Sequence, residues 1–200
     1  MLKQVFQNAR IVGLVGEKHT GKTNNLVAMI IDYRKKNKEV PIYVYGMPQS
    51  VMEYLDRFNV KEISSLKQLV YKKDCIIILD EMQKLNLNDR RYKDQLNEFV
   101  DFVYHNNVYV ILSSPNIREF NSVIGGVIEK WLLKNVRIDM CVNGSQLKGV
   151  VEEYKGSRKQ LGAVKVEPDE ILLVNQDEER VIHCPYIKEV DTKQKNKELF

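Results

Sequence analysis

Cysteine is scarce in this chain of 200 residues, and its spacing indicates neither a disulfide framework nor a zinc site. The three cysteines, Cys75, Cys141 and Cys184, are widely separated and odd in number, without a Cys-x-x-Cys pair. Apolar runs are short as well. None reaches the roughly 18 residues of a membrane-spanning helix, and the N-terminus lacks the apolar core of a signal peptide. We therefore expect reduced, structural cysteines, no transmembrane segment and a cytoplasmic location.

An excess of charge of one sign is also nearly absent. The chain has 31 Lys and Arg against 27 Asp and Glu, a formal net charge of +4 at pH 7, which permits a polyanionic partner without requiring one. Internal repeats and low-complexity segments are missing too. The length suits a single domain with a buried core, and a second full domain would not fit.

What the chain does contain, near its N-terminus, is a phosphate-binding motif. The pattern G-x-x-x-x-G-K-S/T is matched by Gly16, Gly21, Lys22 and Thr23. An apolar, β-branched run over 11–15 predicts a buried strand before it, and apolar residues at helical spacing predict a helix after it. The backbone N–H groups of such a P-loop and the positive end of its helix bind a phosphate chain. The predicted nucleotide-binding residues are Gly16, Glu17, Lys18, His19, Thr20, Gly21, Lys22, Thr23 and Asn24.

A second informative stretch ends in two carboxylates. Four aliphatic residues over 76–79 precede Asp80 and Glu81, as in a buried parallel strand whose end carries a Walker B pair. We expect Asp80 and the hydroxyl of Thr23 to hold Mg²⁺. We expect Lys22 to contact the β and γ phosphates of ATP, and Glu81 to polarise the attacking water, so these two are the predicted catalytic residues.

Polar residues follow a third predicted strand, over 108–112. Ser113, Ser114 and Asn116 come directly after it, so they would reach the same edge of the sheet as the P-loop. There they could sense the γ-phosphate, although a simple Ser-Pro turn is an equal alternative.

The remaining elements follow from apolar spacing and turn residues. A helix is predicted from the residues after Gly21 to the basic run over 34–38. Further helices are predicted over 51–58, 64–71, 92–103 and 120–131, the last interrupted by glycines, and strands over 40–45, 60–63 and 136–142. The basic run over 34–38 is more typical of a solvated helix end than of a nucleic-acid patch. Beyond Asn143, short alternating runs predict β-hairpins on the edge of the main sheet. We expect an α/β core over 1–142, a β-rich extension over 143–191 and a charged tail over 192–200.

Taken together, these motifs resemble those of the FtsK and HerA group of P-loop ATPases. The likeness runs from Arg10 to about Val142 and rests on the P-loop, Leu79-Asp80-Glu81-Met82-Gln83 and Ile111-Leu112-Ser113-Ser114-Pro115-Asn116. By its compact size and its β-rich end, the chain is most similar to the short genome-packaging ATPases of tailless viruses and to the filamentous-phage assembly ATPases. The resemblance implies an ASCE (RecA-like) P-loop fold with a mostly parallel central sheet. It also implies ATP and Mg²⁺ as cofactors, a location in the host cytoplasm or the virion, and translocation of double-stranded DNA.

The resemblance also implies assembly. Such ATPases act as homo-oligomeric rings, for example hexamers, in which an arginine of one subunit completes the site of its neighbour. A capsid vertex or a membrane-associated protein would be the docking partner. The candidate arginine fingers are Arg90, Arg91, Arg118 and Arg137. One feature departs from the group: a glutamine is common where this chain has Ser113 and Ser114.

Two other readings fit some of the same residues. The P-loop and Asp80-Glu81-x-Gln83 are also similar to the thymidine kinase family, in which the glutamate deprotonates a nucleoside hydroxyl. That family usually has a four-cysteine zinc lobe, for which this chain lacks the cysteine pairs. A nucleotide-switched scaffold without rapid turnover is the other alternative, and the intact Lys22 and Glu81 argue against it.

Overall fold

The computed structural model describes residues 1–69, 71–82, 93–115, 120, 122–137, 159–160, 163–175 and 178–190. The helices are α1 (Leu2–Val5), α2 (Lys22–Lys36), α3 (Gln49–Asp56), α4 (Lys93–His105) and α5 (Ser122–Gly125), with 3₁₀ turns at Leu66–Leu69 and Lys188–Val190. The strands are β1 (Ile11–Gly16), β2 (Ile42–Tyr45), β3 (Val60–Glu62), β4 (Ile76–Leu79), β5 (Tyr109–Ser114), β6 (Lys130–Lys134), β7 (Val136–Arg137), β8 (Lys159–Gln160), β9 (Ala163–Val164), β10 (Glu170–Val174) and β11 (Glu179–His183).

Eight of the described strands form one sheet in the order β11-β10-β6-β1-β5-β4-β2-β3. The six strands from β6 to β3 in this order are parallel, and β10 and β11 form an antiparallel hairpin that adds to β6. A smaller antiparallel sheet has the order β7-β9-β8. The predicted α/β class, with a mostly parallel central sheet and β-hairpins at its edge, is confirmed. Among the described helices, none combines the length and apolar character needed to cross a membrane.

The parallel strands are covered on both faces, as such sheets require. All residues of β1 and β4 are buried. One face packs with α4 and with Phe120, and the other packs with α1, α2 and α3. The carboxyl ends of β1, β4 and β5 therefore meet at one edge of the sheet, where polar groups of three separate chain segments come together.

The helix predicted over 120–131 is largely wrong. Helix α5 ends at Gly125, and Trp131 lies in β6, between β1 and β10. Of the apolar residues at helical spacing, only Trp131 lies in β6, and because β6 is buried over its whole length it lacks the apolar–polar alternation that would have indicated a strand. The 64–71 helix is only a 3₁₀ turn, and β5 runs two residues further than predicted, through Ser113 and Ser114.

From residue 136 onward, only part of the predicted structure falls within the described residues. The strand predicted over 136–142 is observed as β7, and 138–142 lie outside the described residues. The first part of the predicted β-rich extension, 143–158, and the tail 192–200 also lie outside them.

The close packing of β6 on β1 makes Gly13 a test of the core. The ring of Trp131 meets Phe120 edge to face at 5.0 Å, and a Cβ at position 13 would lie 2.6 Å from Cζ3 of Trp131 and 2.9 Å from Cδ1 of Ile128. We predict that Gly13→Ala lowers the free energy of unfolding by about 1–3 kcal/mol through overpacking. Urea unfolding would measure this, with the exposed Glu53→Ala on α3 as control. Equal stability of the two variants would contradict the packing described.

Candidate functional site

The P-loop connects the end of β1 to the start of α2. A Cβ at Gly16 would lie 2.0 Å from the carbonyl oxygen of Lys134 on β6, so only glycine fits at the point where the loop leaves the sheet. At the other end, Gly21 is the N-cap of α2 with φ 93°, and His19 also has a positive φ of 64°. These left-handed residues turn the chain sharply so that α2 starts with its N-terminus facing the loop.

The ammonium group of Lys22 lies inside this loop. Its Nζ donates hydrogen bonds to the carbonyl oxygens of Gly16 at 2.7 Å and Glu17 at 2.9 Å, and the residue is 8% exposed. Burial lowers the pKa of Lys22, while the negative charges of Asp80, Glu81 and Glu17 oppose that shift. A positive charge is therefore held at the centre of the loop, where a phosphate would sit.

The P-loop and the acidic pair after β4 meet at the carboxylate of Asp80. Thr23 Oγ1 donates to Asp80 Oδ2 at 3.0 Å, across 57 residues of sequence, and Ser113 Oγ on β5 donates to Oδ1 at 2.8 Å. Asp80 is only 3% exposed, and burial raises its pKa, whereas the hydrogen bonds from Ser113 and Thr23 and the charge of Lys22 lower it. A hydroxyl and a carboxylate side by side are the hard oxygen ligands that Mg²⁺ prefers, so this donor set fits the ion.

Glu81 follows in an unusual backbone conformation. Its φ is 55°, and its N–H donates to Asp80 Oδ1 at 3.1 Å. Gly46, at the end of β2, makes room for this turn, because a Cβ there would lie 2.1 Å from the carbonyl oxygen of Asp80. A non-glycine residue held at positive φ costs of order 1–3 kcal/mol. The surrounding packing therefore fixes the direction in which Glu81 leaves the sheet.

The candidate sensor and arginine residues have different outcomes. Ser113 contacts Asp80, and Ser114 is buried at the end of β5. Arg137 is exposed at the end of β7. Asn116, Arg90, Arg91 and Arg118 lie outside the described residues. The sensor and finger assignments stay predictions.

A cleft of about 670 Å³ opens beside the P-loop. One side consists of P-loop and α2 residues from His19 to Asn24. The other side is formed by later residues: Asn135, Val166, Pro168, Tyr186 and Val190. This second side was not predicted from the sequence. No motif marks these residues, and the β-rich extension was expected only to pack on the sheet edge.

Two side chains, those of Lys134 and Asn24, bind the second side of the cleft through hydrogen bonds. Neither was predicted to do so from the sequence. Lys134 is fully buried, and its Nζ donates to the carbonyl oxygens of Glu167, Pro168 and Glu170 at 2.8, 2.7 and 2.6 Å. Burial lowers the pKa of Lys134 to about 8. This shift is opposed by four nearby residues: Cys184, Asp169, Glu170 and Glu167.

The amide of Asn24 forms the other connection. Its Nδ2 donates to the carbonyl oxygen of Ile187 at 2.7 Å, and its Oδ1 accepts from the Ile187 N–H at 3.0 Å. The predicted nucleotide contact of Asn24 stays a prediction, and this pairing gives its side chain a structural role.

Comparison with solved structures reveals the same fold in ATPases. The DNA-packaging ATPase B204 of Sulfolobus turreted icosahedral virus superposes with a TM-score of 0.60 at 13% identity, covering 89% of this chain and 98% of B204. The genome-packaging NTPase B204 of Sulfolobus turreted icosahedral virus 2, solved with AMP, gives 0.60 at 15% identity and covers 91% and 100%. The cytoplasmic domain of EssC gives 0.59 at 15% identity and covers 90% of this chain and 39% of EssC.

This chain has the fold of a P-loop ATPase. The resemblance to FtsK/HerA-type and viral packaging ATPases, predicted from the motifs, is confirmed at the level of the fold. No family model matches the sequence, and no curated protein matches it either.

Ser113 offers a test of the buried carboxylate. We predict that Ser113→Ala raises the pKa of Asp80 further, because burial already raises it and the substitution removes one of the two hydrogen bonds that lower it. Carboxyl ¹³C titration of the metal-free protein would measure the shift. The control is Ser64→Ala, which removes an exposed hydroxyl in the segment after β3 and should leave the Asp80 titration unchanged. An unchanged Asp80 titration in Ser113→Ala would refute the assigned hydrogen bond.

Proposed function

We propose that this protein is an Mg²⁺-dependent ATPase. The observation that carries the proposal is the hydrogen bond of 3.0 Å between Thr23 and Asp80, which joins the two Walker motifs into one site beside the buried ammonium of Lys22. Structures of the genome-packaging NTPase B204 in complex with AMPPCP and with ATP-γS support nucleotide binding by this fold.

Each residue of the site has a specific task in this proposal. The N–H groups at the start of α2 and the ammonium of Lys22 bind the phosphates, and Lys22 exchanges its bonds to the carbonyls of Gly16 and Glu17 for phosphate oxygens. Thr23 and Asp80 would hold Mg²⁺, which supplies positive charge against the charge developing on the γ-phosphate. Glu81 orients the attacking water and accepts its proton.

Two substitutions separate binding from hydrolysis. We predict that Lys22→Ala abolishes nucleotide binding, because it removes the charge that holds the β and γ phosphates. Glu81→Gln should keep binding and lower turnover by roughly 10²–10⁴-fold, the contribution typical of a general base. Titration calorimetry with ATP and phosphate-release assays would measure both effects.

The control for these variants is Lys61→Ala, which removes an exposed lysine on β3 and should change neither quantity. Wild-type turnover in Glu81→Gln would remove Glu81 from the mechanism, and unchanged ATP affinity in Lys22→Ala would remove the phosphate site.

The proposal extends to DNA translocation by a homo-oligomeric ring, for example a hexamer. It is supported by the likeness to B204, whose name describes DNA packaging. A packaging motor must hold any sequence, so its contacts should be made to phosphates. Of the basic run, Arg34 is committed to the carbonyl oxygens of Asn37, Lys38, Val40 and Asn59. Lys35, Lys36 and Lys38 are exposed, so they are the described members that could contact phosphate.

Assembly and DNA should both stimulate turnover. An arginine supplied by a neighbour is worth roughly 10³–10⁵ in rate, so we predict that turnover per subunit rises with protein concentration and with added double-stranded DNA. Unrelated duplexes should act equally, and their affinity should fall steeply with salt, by about 0.9 counterion per phosphate contacted. ATPase assays over a dilution series, at two salt concentrations, would measure these dependences.

Constant specific activity with no effect of DNA at low salt would contradict the translocase proposal. Phosphorylation of thymidine by the same preparation would instead support the nucleoside kinase alternative.

A further inference from the structure

The residues that line the cleft beside the P-loop are of two kinds. Gly21, Lys22 and Thr23 belong to the phosphate loop and the start of α2. The later residues include Val166, Pro168 and Tyr186, which we call the wall, and the neighbouring Val190. Tyr186 keeps 46% of its surface exposed, so part of it is accessible to a ligand in the cleft. This lining suits a ligand that carries both anionic groups and a planar apolar group.

The wall lies directly against the phosphate loop. A Cβ at Gly21 would be 3.5 Å from the carbonyl oxygen of Pro168, so the turn at Pro168 packs over the start of α2. The cleft volume of about 670 Å³ is within the range of roughly 300–1,000 Å³ that small-molecule sites occupy. A whole nucleotide therefore has room to reach from the loop to the wall.

The position of the wall depends on few side chains. The turn at Pro168 is bound through the three carbonyl oxygens that accept hydrogen bonds from Lys134. The segment that includes Tyr186 is bound through both main-chain groups of Ile187, which pair with Asn24. Asn24 follows Thr23 on α2, and Lys134 pairs with Gly16 in the sheet. Both anchors therefore start from the phosphate site itself.

We propose that the wall formed by Val166, Pro168 and Tyr186 is the subsite for the base of the nucleotide, and that Lys134 and Asn24 are positioning residues that hold it against the P-loop. The inference rests on the proposed function, because it assigns a second part of the same ATP site. Tyr186 contacts the base, while Lys134 and Asn24 act on it only through the backbone segments that they bind.

The test compares two ligands that share the phosphates and differ in the base. Affinities of the full chain are measured for ATP and for inorganic tripolyphosphate, both with Mg²⁺, by titration calorimetry. Wild type should bind ATP more tightly than tripolyphosphate. Tyr186→Ala should weaken ATP binding by roughly five- to a hundredfold, the range for stacking of a base on an aromatic ring, and leave tripolyphosphate affinity unchanged. Tyr186→Phe keeps the ring and should retain both affinities.

Lys134→Met tests the positioning role and has a matched control on the same strand. The substitution should reduce the preference for ATP over tripolyphosphate by roughly tenfold, because three carbonyl oxygens lose their charged donor. Lys130, at the other end of β6, is also buried and pairs with Glu178 at 3.1 Å. Lys130→Met should lower thermal stability and leave the preference for ATP unchanged.

Each outcome either supports or overturns the inference. Equal binding of ATP and tripolyphosphate by wild type, or wild-type ATP affinity in Tyr186→Ala, would overturn the base subsite while leaving the phosphate site intact. An equal loss of preference in Lys134→Met and Lys130→Met would overturn the positioning role. Binding of neither ligand by wild type would overturn the proposed function and this inference with it. If Lys134→Met does not fold, Asn24→Ala tests the second anchor by the same ratio.

Discussion

A carboxylate buried from water can keep its charge only when protein groups replace the lost hydration. Asp80 is in this position, and its oxygens accept hydrogen bonds from Thr23, Ser113 and the N–H of Glu81. These donors come from α2, from β5 and from the turn after β4, so one side chain joins the three segments that build the site. The order β1-β5-β4 in the sheet makes this possible, because it places β5 between the strand that precedes the P-loop and the strand that precedes Asp80.

Thr23 and Asp80, the two residues proposed to hold Mg²⁺, are hydrogen-bonded to each other. Lys22 likewise occupies carbonyl oxygens of its own loop. Metal and phosphate would therefore replace bonds that the protein already makes, rather than fill a site whose polar groups lack partners. Because these charged groups are hydrogen-bonded to protein groups beforehand, the free-energy cost of burying them is limited.

Much of the fold could be predicted because its signals are local. The runs at 11–15 and 76–79 are apolar, and each is followed by a short polar motif, the P-loop pattern or the acidic pair. Strand β6 shows where such reasoning fails. Trp131, Leu132 and Leu133 are buried between β1 and β10, and a strand with both faces covered has no alternation to distinguish it from a helix. The second wall of the cleft could not be predicted for another reason. Lys134 and Asn24 bind backbone carbonyl and N–H groups, which nearly all residues have, so no sequence motif marks their partners.

The bond between Asn24 and Ile187 spans 163 residues, and this separation bears on how the protein is made. During synthesis the P-loop leaves the ribosome early, whereas the segments that close its cleft follow only after almost all of the described strands. The strand beside β1 that carries Lys134 is also late. Contacts of such high sequence separation form slowly, since the chain must first pay the entropy of closing long loops. A nascent chain can therefore display the P-loop long before the cleft beside it is complete, because Ile187 is synthesised 163 residues after Asn24.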